Sequence, residues 1–325
     1  MWLLVGGAGY IGSHIAHQFV KLGRNVVVVD NLESGKVESL PKEAIFRLGS
    51  ANDAEFIYSV CMEFQVIGVV FLAARKQARE SINKPLEYWS DNIGALIGTL
   101  KGIPETNVKH FLLSSSCSVY GSSGEVKNTT QLNPVSPYGR TKVVSEMIVR
   151  DCCAELDIGW TALRYFNVIG NDCFPYSRDR SQECLVPAVS RKILNGESPI
   201  LFGRNFDTED GTSLRDYIDV RDLARAHVMV CDDLMRTGES LVIDKCLNVS
   251  TGNPISTLEV LENILSCLDS DLDLLDLGRR EGDPERVWAK PHQELLDIGW
   301  EPKYSIRESI LSFCKDLSIS SDSQN

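Results

Sequence analysis

The sequence predicts an α/β protein: a doubly wound parallel sheet of the Rossmann type, with a smaller mixed α/β lobe that covers a ligand cleft. Three observations predict it. Short apolar runs alternate with segments of helical period through the first half of the chain. The first run leads directly into a glycine-rich turn that opens a helix. The second run ends in an aspartate, at the carboxyl edge where open parallel sheets meet their ligands.

The runs at residues 3–5, 25–30 (NVVVVD), 68–73 (GVVFLA), 110–115 (HFLLSS) and 160–167 (WTALRYFN) read as strands. Each has a mostly apolar centre, as a strand covered on both faces requires. Segments 11–22 and 141–156 carry the helical period between them. The second half is less regular. Residues 246–249 predict a strand, and Ser256-Thr257-Leu258-Glu259 has the pattern of a capping box opening a helix to about residue 268. The polar stretch 173–183 reads as a loop near a domain boundary. These elements suggest a cofactor-binding domain over residues 1–170 and a substrate lobe over 171–325, with some later segments returning to the first domain.

A chain of 325 residues, 43% of them hydrophobic, suits one large globular domain or two smaller ones. No uncharged apolar window of about 18 residues occurs, so no membrane span is expected. The start lacks a basic segment and cleavage site, so it reads as a strand rather than a signal peptide. Ten cysteines without a C-x-x-C pair are expected to be reduced thiols in a cytoplasmic protein. His14 and His17 form H-x-x-H on the first helix, but no nearby Cys, Asp or Glu completes a ligand set, and no metal is expected. A net charge of -12 argues against nucleic acid as a partner. It does not exclude a small anionic ligand, because helix ends and a few arginines hold phosphates locally.

Residues 6–12 (GGAGYIG) place Gly6, Gly9 and Gly12 at G-x-x-G-x-x-G. Gly6 permits the tight turn, Gly9 admits a pyrophosphate to the backbone, and Gly12 lets the helix pack close to the sheet. The helix then offers its free N–H groups to the phosphates, with Tyr10 and Ile11 at the contact. Asp30, followed by Asn31, ends the second strand. A carboxylate there accepts both ribose hydroxyls and repels a 2′-phosphate, so the predicted cofactor is NAD rather than NADP.

Residues 136–142 (SPYGRTK) contain Y-x-x-x-K, which puts Tyr138 and Lys142 on one helix face. A free tyrosine ionises near pH 10. A neighbouring ammonium and a positive nicotinamide favour the phenolate. A lowering by two to three in pH corresponds to about 3–4 kcal/mol, within reach of close charges in a partly dry cleft. The pattern alone recurs by chance. Here residues 114–121 (SSSCSVYG) follow the fourth strand, so Ser116 would reach the sheet's carboxyl edge and hydrogen-bond a reacting sugar oxygen beside Tyr138.

These residues, in this order, resemble the extended short-chain dehydrogenase/reductases, and within them the UDP-glucose (UDP-galactose) 4-epimerases. The resemblance runs from about Trp2 to Tyr304. Besides the motifs above, it rests on residues 28–32 (VVDNL), 78–89 (ARESINKPLEYW), 163–167 (LRYFN), 208–220 (TEDGTSLRDYIDV) and 279–289 (RREGDPERVWA). It implies that Lys76 and Asn92 contact NAD and that Asn167 contacts the sugar diphosphate. Arg215 and Arg280 would grip the diphosphate, with Asp283 near the uridine ribose; guanidinium forks match phosphate oxygens. Val287 would line the pocket around the sugar C2 substituent, where a larger residue would exclude an acetamido group. The resemblance further implies a UDP-linked hexose as substrate and a homodimer. Four positions depart from the usual pattern: Phe71 where many members have His, Ala74 for Gly, Ser50 for Asp, and Cys184 for Asn.

Among related activities, a 4,6-dehydratase would carry an acidic pair where this chain has Cys117-Ser118. Reductase, decarboxylase and non-catalytic NAD-sensing readings stay open. Epimerisation by transient C4 oxidation, with Tyr138 as acid and base, is the favoured expectation.

Overall fold

The computed structural model describes residues 1–121, 124–172, 174–236, 246–280 and 283–321. In chain order the first part contains β1 (Trp2–Val5), α1 (Tyr10–Lys21), β2 (Val26–Asp30), β3 (Ile45–Leu48), α2 (Ala54–Glu63), β4 (Gly68–Phe71), α3 (Ala78–Asn83) and α4 (Pro85–Lys101). Next come β5 (His110–Ser116), β6 (Gly124–Glu125), α5 (Pro137–Glu155), β7 (Gly159–Tyr165) and β8 (Asn167–Ile169). The remainder contains α6 (Leu185–Leu194), β9 (Ile200–Leu201), β10 (Leu214–Arg215), β11 (Tyr217–Asp219), α7 (Val220–Arg236), β12 (Cys246–Val249) and β13 (Ile255–Ser256). It ends with α8 (Thr257–Cys267), β14 (Leu275–Asp276), β15 (Arg286–Trp288), α9 (Gln293–Asp297) and α10 (Ile306–Ser321).

Seven of these strands form one parallel sheet in the order β12-β7-β5-β4-β1-β2-β3. Successive side chains leave opposite faces of each strand. Leu4, Val26, Val28 and Leu112 therefore pack on one side, against Ile15 and Phe19 of α1 and Leu223 and Val228 of α7. Leu3, Val27, Val29, Phe71 and Phe111 pack on the other, against Ile57 of α2, Leu96 of α4 and Val149 of α5. Both faces are covered, which is why the strands are apolar throughout. The doubly wound α/β expectation is met. The sheet also takes β12 from far along the chain, and α7 packs on α1.

The rest is built from short pieces: a four-stranded sheet ordered β13-β10-β15-β6 and two two-stranded ribbons, β11-β8 and β14-β9. Helices α6, α8 and α10 share a third core around Val186, Leu261 and Phe313. Among the described residues, no helix is long and apolar enough to cross a membrane.

Three elements depart from expectation by more than two residues. The strand predicted over 160–167 is two strands: β7 stops at Tyr165, and after Phe166 the chain changes partners so that Asn167 pairs with Tyr217 of β11. Helix α5 starts at Pro137 rather than near 141; Ser136 caps it by accepting from the Gly139 N–H at 3.1 Å, with proline in the first turn. Strand β3 was not anticipated, because its IFRL sequence lies half-buried at the sheet edge without a clean apolar run. The capping residue of α8 is Ser256 as expected, accepting from the Glu259 N–H at 3.1 Å. Cys173, the first residue of the expected 173–183 loop, lies outside the described residues.

Candidate active site

The glycine turn between β1 and α1 is shaped by contact with the sheet. Gly6 has φ +78°, and a Cβ there would lie 2.6 Å from the Ala73 nitrogen. A Cβ on Gly12 would lie 2.6 Å from the Gly7 Cα. Gly9 is different: the nearest atom to its ideal Cβ is the Gly6 carbonyl oxygen, at 3.7 Å. The protein itself does not require glycine at position 9. What a side chain would obstruct there is the approach of a ligand to the backbone. Gly9 also starts α1 without a side-chain cap, so the first N–H groups of the helix are available to an anion. Beside the turn, buried Asp30 accepts from the Ala8 N–H at 2.9 Å and the Leu32 N–H at 2.8 Å. These amides favour the carboxylate, although burial pushes its pKa upward. An open cradle over Gly9, an uncapped helix end and a fixed carboxylate together fit the diphosphate and ribose of NAD.

The other residues assigned to the cofactor side are largely engaged within the protein. Tyr10 donates its hydroxyl to the Gly170 carbonyl at 2.8 Å, and Ile11 is partly buried beside it. The Asn31 side chain accepts from the Glu33 N–H at 3.1 Å. The Lys76 ammonium reaches both oxygens of Asp179, at 3.0 and 2.9 Å, and lies 5.4 Å from the Tyr10 ring centre. Buried Asn92 accepts from the Arg75 N–H at 2.7 Å and donates to the Arg75 carbonyl and Thr141 hydroxyl, each at 3.1 Å. It braces the loop after β4 against α5.

The residues expected to carry the chemistry meet at the carboxyl end of β5. Ser116 is the last residue of that strand, and its hydroxyl lies 3.2 Å from the Ser118 hydroxyl. Tyr138 and Lys142 share the buried face of α5. The Tyr138 N–H donates to the Ser81 hydroxyl at 3.1 Å, and its ring meets Tyr88 edge-on at 6.5 Å. The Lys142 ammonium donates to the Ser114 carbonyl at 2.8 Å and lies 5.9 Å from the Tyr138 ring centre. The structure thus brings Ser116, Tyr138 and Lys142 together.

Their electrostatics within the protein are set first by burial. The protein's own groups push the Tyr138 pKa up, not down. Burial is the main cause and nearby Tyr165 adds to it, while a hydrogen bond with Ser116 opposes them. Burial also pushes Lys142 down to about 8, against the opposing charge of Glu146.

On the substrate side lies a cavity of about 290 Å³, lined by Asn167, Cys184, Phe202, Arg215, Tyr217, Arg280 and Asp283 among others. Arg215 is held by the carbonyls of Leu214, Pro284 and Glu285. The Arg280 guanidinium sits 2.7 Å from the Phe202 ring centre, and its buried Nε has no hydrogen-bond partner among the described residues. Burial and the nearby charge of Arg79 push its pKa down to about 10. Two partly buried guanidiniums on one cavity wall, with Asp283 near enough to influence both, make this a site for an anionic group.

Val287 is not on this cavity's wall. It is 4% exposed on β15, opposite Arg215 and Gly124, and packs with Tyr120, Val126 and Phe166. Of the departing positions, Phe71 packs in the core against Phe111, Ser50 accepts from the Asn52 N–H, and Cys184 lies on the cavity wall at the start of α6. Sequence reasoning missed Phe202 and Tyr217. Phe202 follows a two-residue strand with no periodic signal; Tyr217 stood within a quoted motif, two residues after Arg215. Among the described residues, no group of three or more His, Cys, Asp and Glu side chains could hold a metal ion.

The chain is similar along its length to proteins of one family. A UDP-glucose 4-epimerase of Lactobacillus helveticus is 34% identical over 315 residues, spanning 95% of this chain and 94% of the relative. The solved UDP-glucose-4-epimerase of Stenotrophomonas maltophila, with bound NAD and formylated UDP-arabinopyranose, superposes with a TM-score of 0.91 at 28% identity, covering 99% of both chains. The UDP-N-acetylglucosamine 4-epimerase of Methanobrevibacter ruminantium, in complex with UDP-N-acetylmuramic acid, superposes with a TM-score of 0.83 at 28% identity over 98% of each chain. The model of the NAD dependent epimerase/dehydratase family matches residues 2–243. This chain belongs to the NAD dependent epimerase/dehydratase family.

Proposed function

We propose that the protein is a UDP-hexose 4-epimerase that interconverts UDP-glucose and UDP-galactose and also processes the N-acetylated pair. The observation that carries this reading is the convergence of Ser116, Tyr138 and Lys142 at the end of β5, with the glycine turn and the two-arginine cavity in the same fold. The names of the relatives support it. Gly6, Gly9, Gly12 and Asp30 would hold NAD, which when bound would supply a reversible hydride store for C4 of the sugar. Tyr138 takes the proton from the sugar O4 and returns it. Ser116 orients that oxygen. The ammonium of Lys142, 5.9 Å from the Tyr138 ring centre, favours the phenolate against the burial that raises the Tyr138 pKa. Arg215 and Arg280 pin the diphosphate, with Asp283 at the ribose and Asn167 at the diphosphate, and leave the hexose free to present either face.

A homodimer and a cytoplasmic location belong to the same reading. Exposed Leu86 and Ile97 on α4 and Met147 on neighbouring α5 support self-association. The similarity to a UDP-N-acetylglucosamine 4-epimerase supports the wider substrate range, and Val287, buried away from the cavity wall, is the place to narrow it, since valine is smaller than an aromatic residue by most of a ring. Its close packing with Phe166 means a tyrosine there has to displace neighbours or enter the cleft.

One experiment tests both levels. UDP-glucose and UDP-N-acetylglucosamine are each incubated without added NAD, with wild type and with Val287→Tyr. Expected are the 4-epimers of both, no accumulation of free NADH, and selective loss of the N-acetylated substrate in the variant. Stoichiometric NADH indicates a dehydrogenase instead. Equal loss on both substrates, or no wild-type turnover of the N-acetyl sugar, removes the role of Val287.

A further inference from the structure

Behind the reacting groups lies a buried ion pair that the chemistry above does not use. Glu146 sits one turn beyond Lys142 on α5, and Arg164 reaches it from β7. Arg164 donates Nε to Oε1 at 2.8 Å and Nη2 to Oε2 at 2.6 Å, and the two side chains are 5% and 7% exposed. The Ser115 hydroxyl donates to the same Oε1 at 2.6 Å. The remaining Arg164 nitrogen donates to the Tyr120 hydroxyl at 3.0 Å, and Tyr120 donates to Asn248 of β12 at 2.7 Å.

Stability alone is a weak reason for such a pair, since well-packed apolar replacements are often neutral or better. Its location is more informative. Ser115 lies between Ser114, whose carbonyl holds the Lys142 ammonium, and Ser116 of the reacting trio. Anchoring Ser115 therefore anchors both neighbours. The acceptor at Lys142 is a neutral carbonyl, and among the described residues Glu146 is the carboxylate whose charge supports that ammonium.

We propose that Glu146, oriented by Arg164, is a positioning residue of the reaction: it fixes the carboxyl end of β5 through Ser115 and keeps the Lys142 ammonium charged and in place beside Tyr138. The inference rests on the roles assigned above to Tyr138 and Lys142. Other groups facing this helix do not supply the charge. The turn after β5 contributes Cys117 and Tyr120, β7 contributes Tyr165, and β12 contributes Cys246, whose thiol is 3.8 Å from Glu146. Helix α7 contributes His227, 3.2 Å from the Ser114 hydroxyl and kept neutral by burial, which pushes it down to about 4. From α3 and α4 come Ser81, Asn92 and Tyr88, while the charges of Glu80 and Asp91 are paired with Lys84 and Arg75.

The test is the pH profile of kcat for the holoenzyme at saturating UDP-glucose, measured for wild type, Glu146→Gln and Glu146→Gln/Arg164→Met. The double variant leaves no orphaned buried guanidinium, so it remains informative if the single variant does not fold. Removing the carboxylate is expected to move the alkaline limb, where Lys142 loses its proton, to lower pH by about one pH unit. A purely structural role lowers kcat equally at all pH values. An unchanged alkaline limb in the folded double variant, with Tyr138→Phe inactive alongside it, overturns this inference and leaves the site assignment standing. Full activity in Tyr138→Phe overturns both.

Discussion

The two sides of the cleft are held in place by different means. On the cofactor side, position is set by backbone: β1 and β2 are interior strands of a seven-stranded sheet, paired on both sides, and the turn between β1 and α1 is defined by approaches that leave no room for a Cβ at Gly6 or Gly12. On the substrate side, Arg215 sits on a two-residue strand and is aimed by three carbonyls, while Arg280 rests on the Phe202 ring. The first arrangement is cooperative, because moving the turn moves the sheet. The second is assembled from separable side-chain contacts. Damage on the first side should therefore be nearly all-or-none, and damage on the second graded and confined to substrate binding.

The sharpest break of that contrast is Gly12→Val. Its Cβ would overlap Gly7, so helix and turn must separate, with an overpacking cost of about 1–3 kcal/mol or more. The expected result is a melting temperature lower by several degrees and loss of retained NAD, read by thermal unfolding and by the absorbance of extracted cofactor. Wild-type stability with full NAD content would show that the turn is not closed in this way.

Arg280→Ala should have a smaller and more selective effect. On the proposed role of Arg280, its loss removes a charged donor to the diphosphate and costs about 1.5–3 kcal/mol, which corresponds to a KM raised by roughly 10- to 150-fold. The value of kcat should change little, since the grip is the same in ground and transition states. Steady-state kinetics on UDP-glucose decide it. A fall confined to kcat would place Arg280 in the chemistry rather than in binding.

The same contrast governs what the sequence reveals. Strands covered on both faces are legible as apolar runs, as VVVVD in β2 is, and the glycine turn is legible because its residues are contiguous. Tyr138 and Lys142 are legible through helical spacing. Strands of two residues such as β9 and β10 carry no period, so Phe202 on the cavity wall had no signal of its own. Pairs joined only by folding are equally hidden: Lys76 and Asp179 are 103 residues apart, and Ser115 and Glu146 are 31 apart. The burial that raises the Tyr138 pKa is hidden for a related reason, since it arises from packing, such as that of Tyr88 against its ring, rather than from any motif.

The central claim is that Tyr138, at the seam between the two sides, carries the proton of the sugar O4. Tyr138→Phe removes one hydroxyl and keeps the buried ring against Tyr88. The decisive measurement is its turnover of UDP-glucose alongside its retained NAD and melting temperature. Turnover lower by at least about 10²-fold, with cofactor content and stability close to wild type, is the predicted result. Near-normal turnover in a folded, NAD-loaded variant would contradict it.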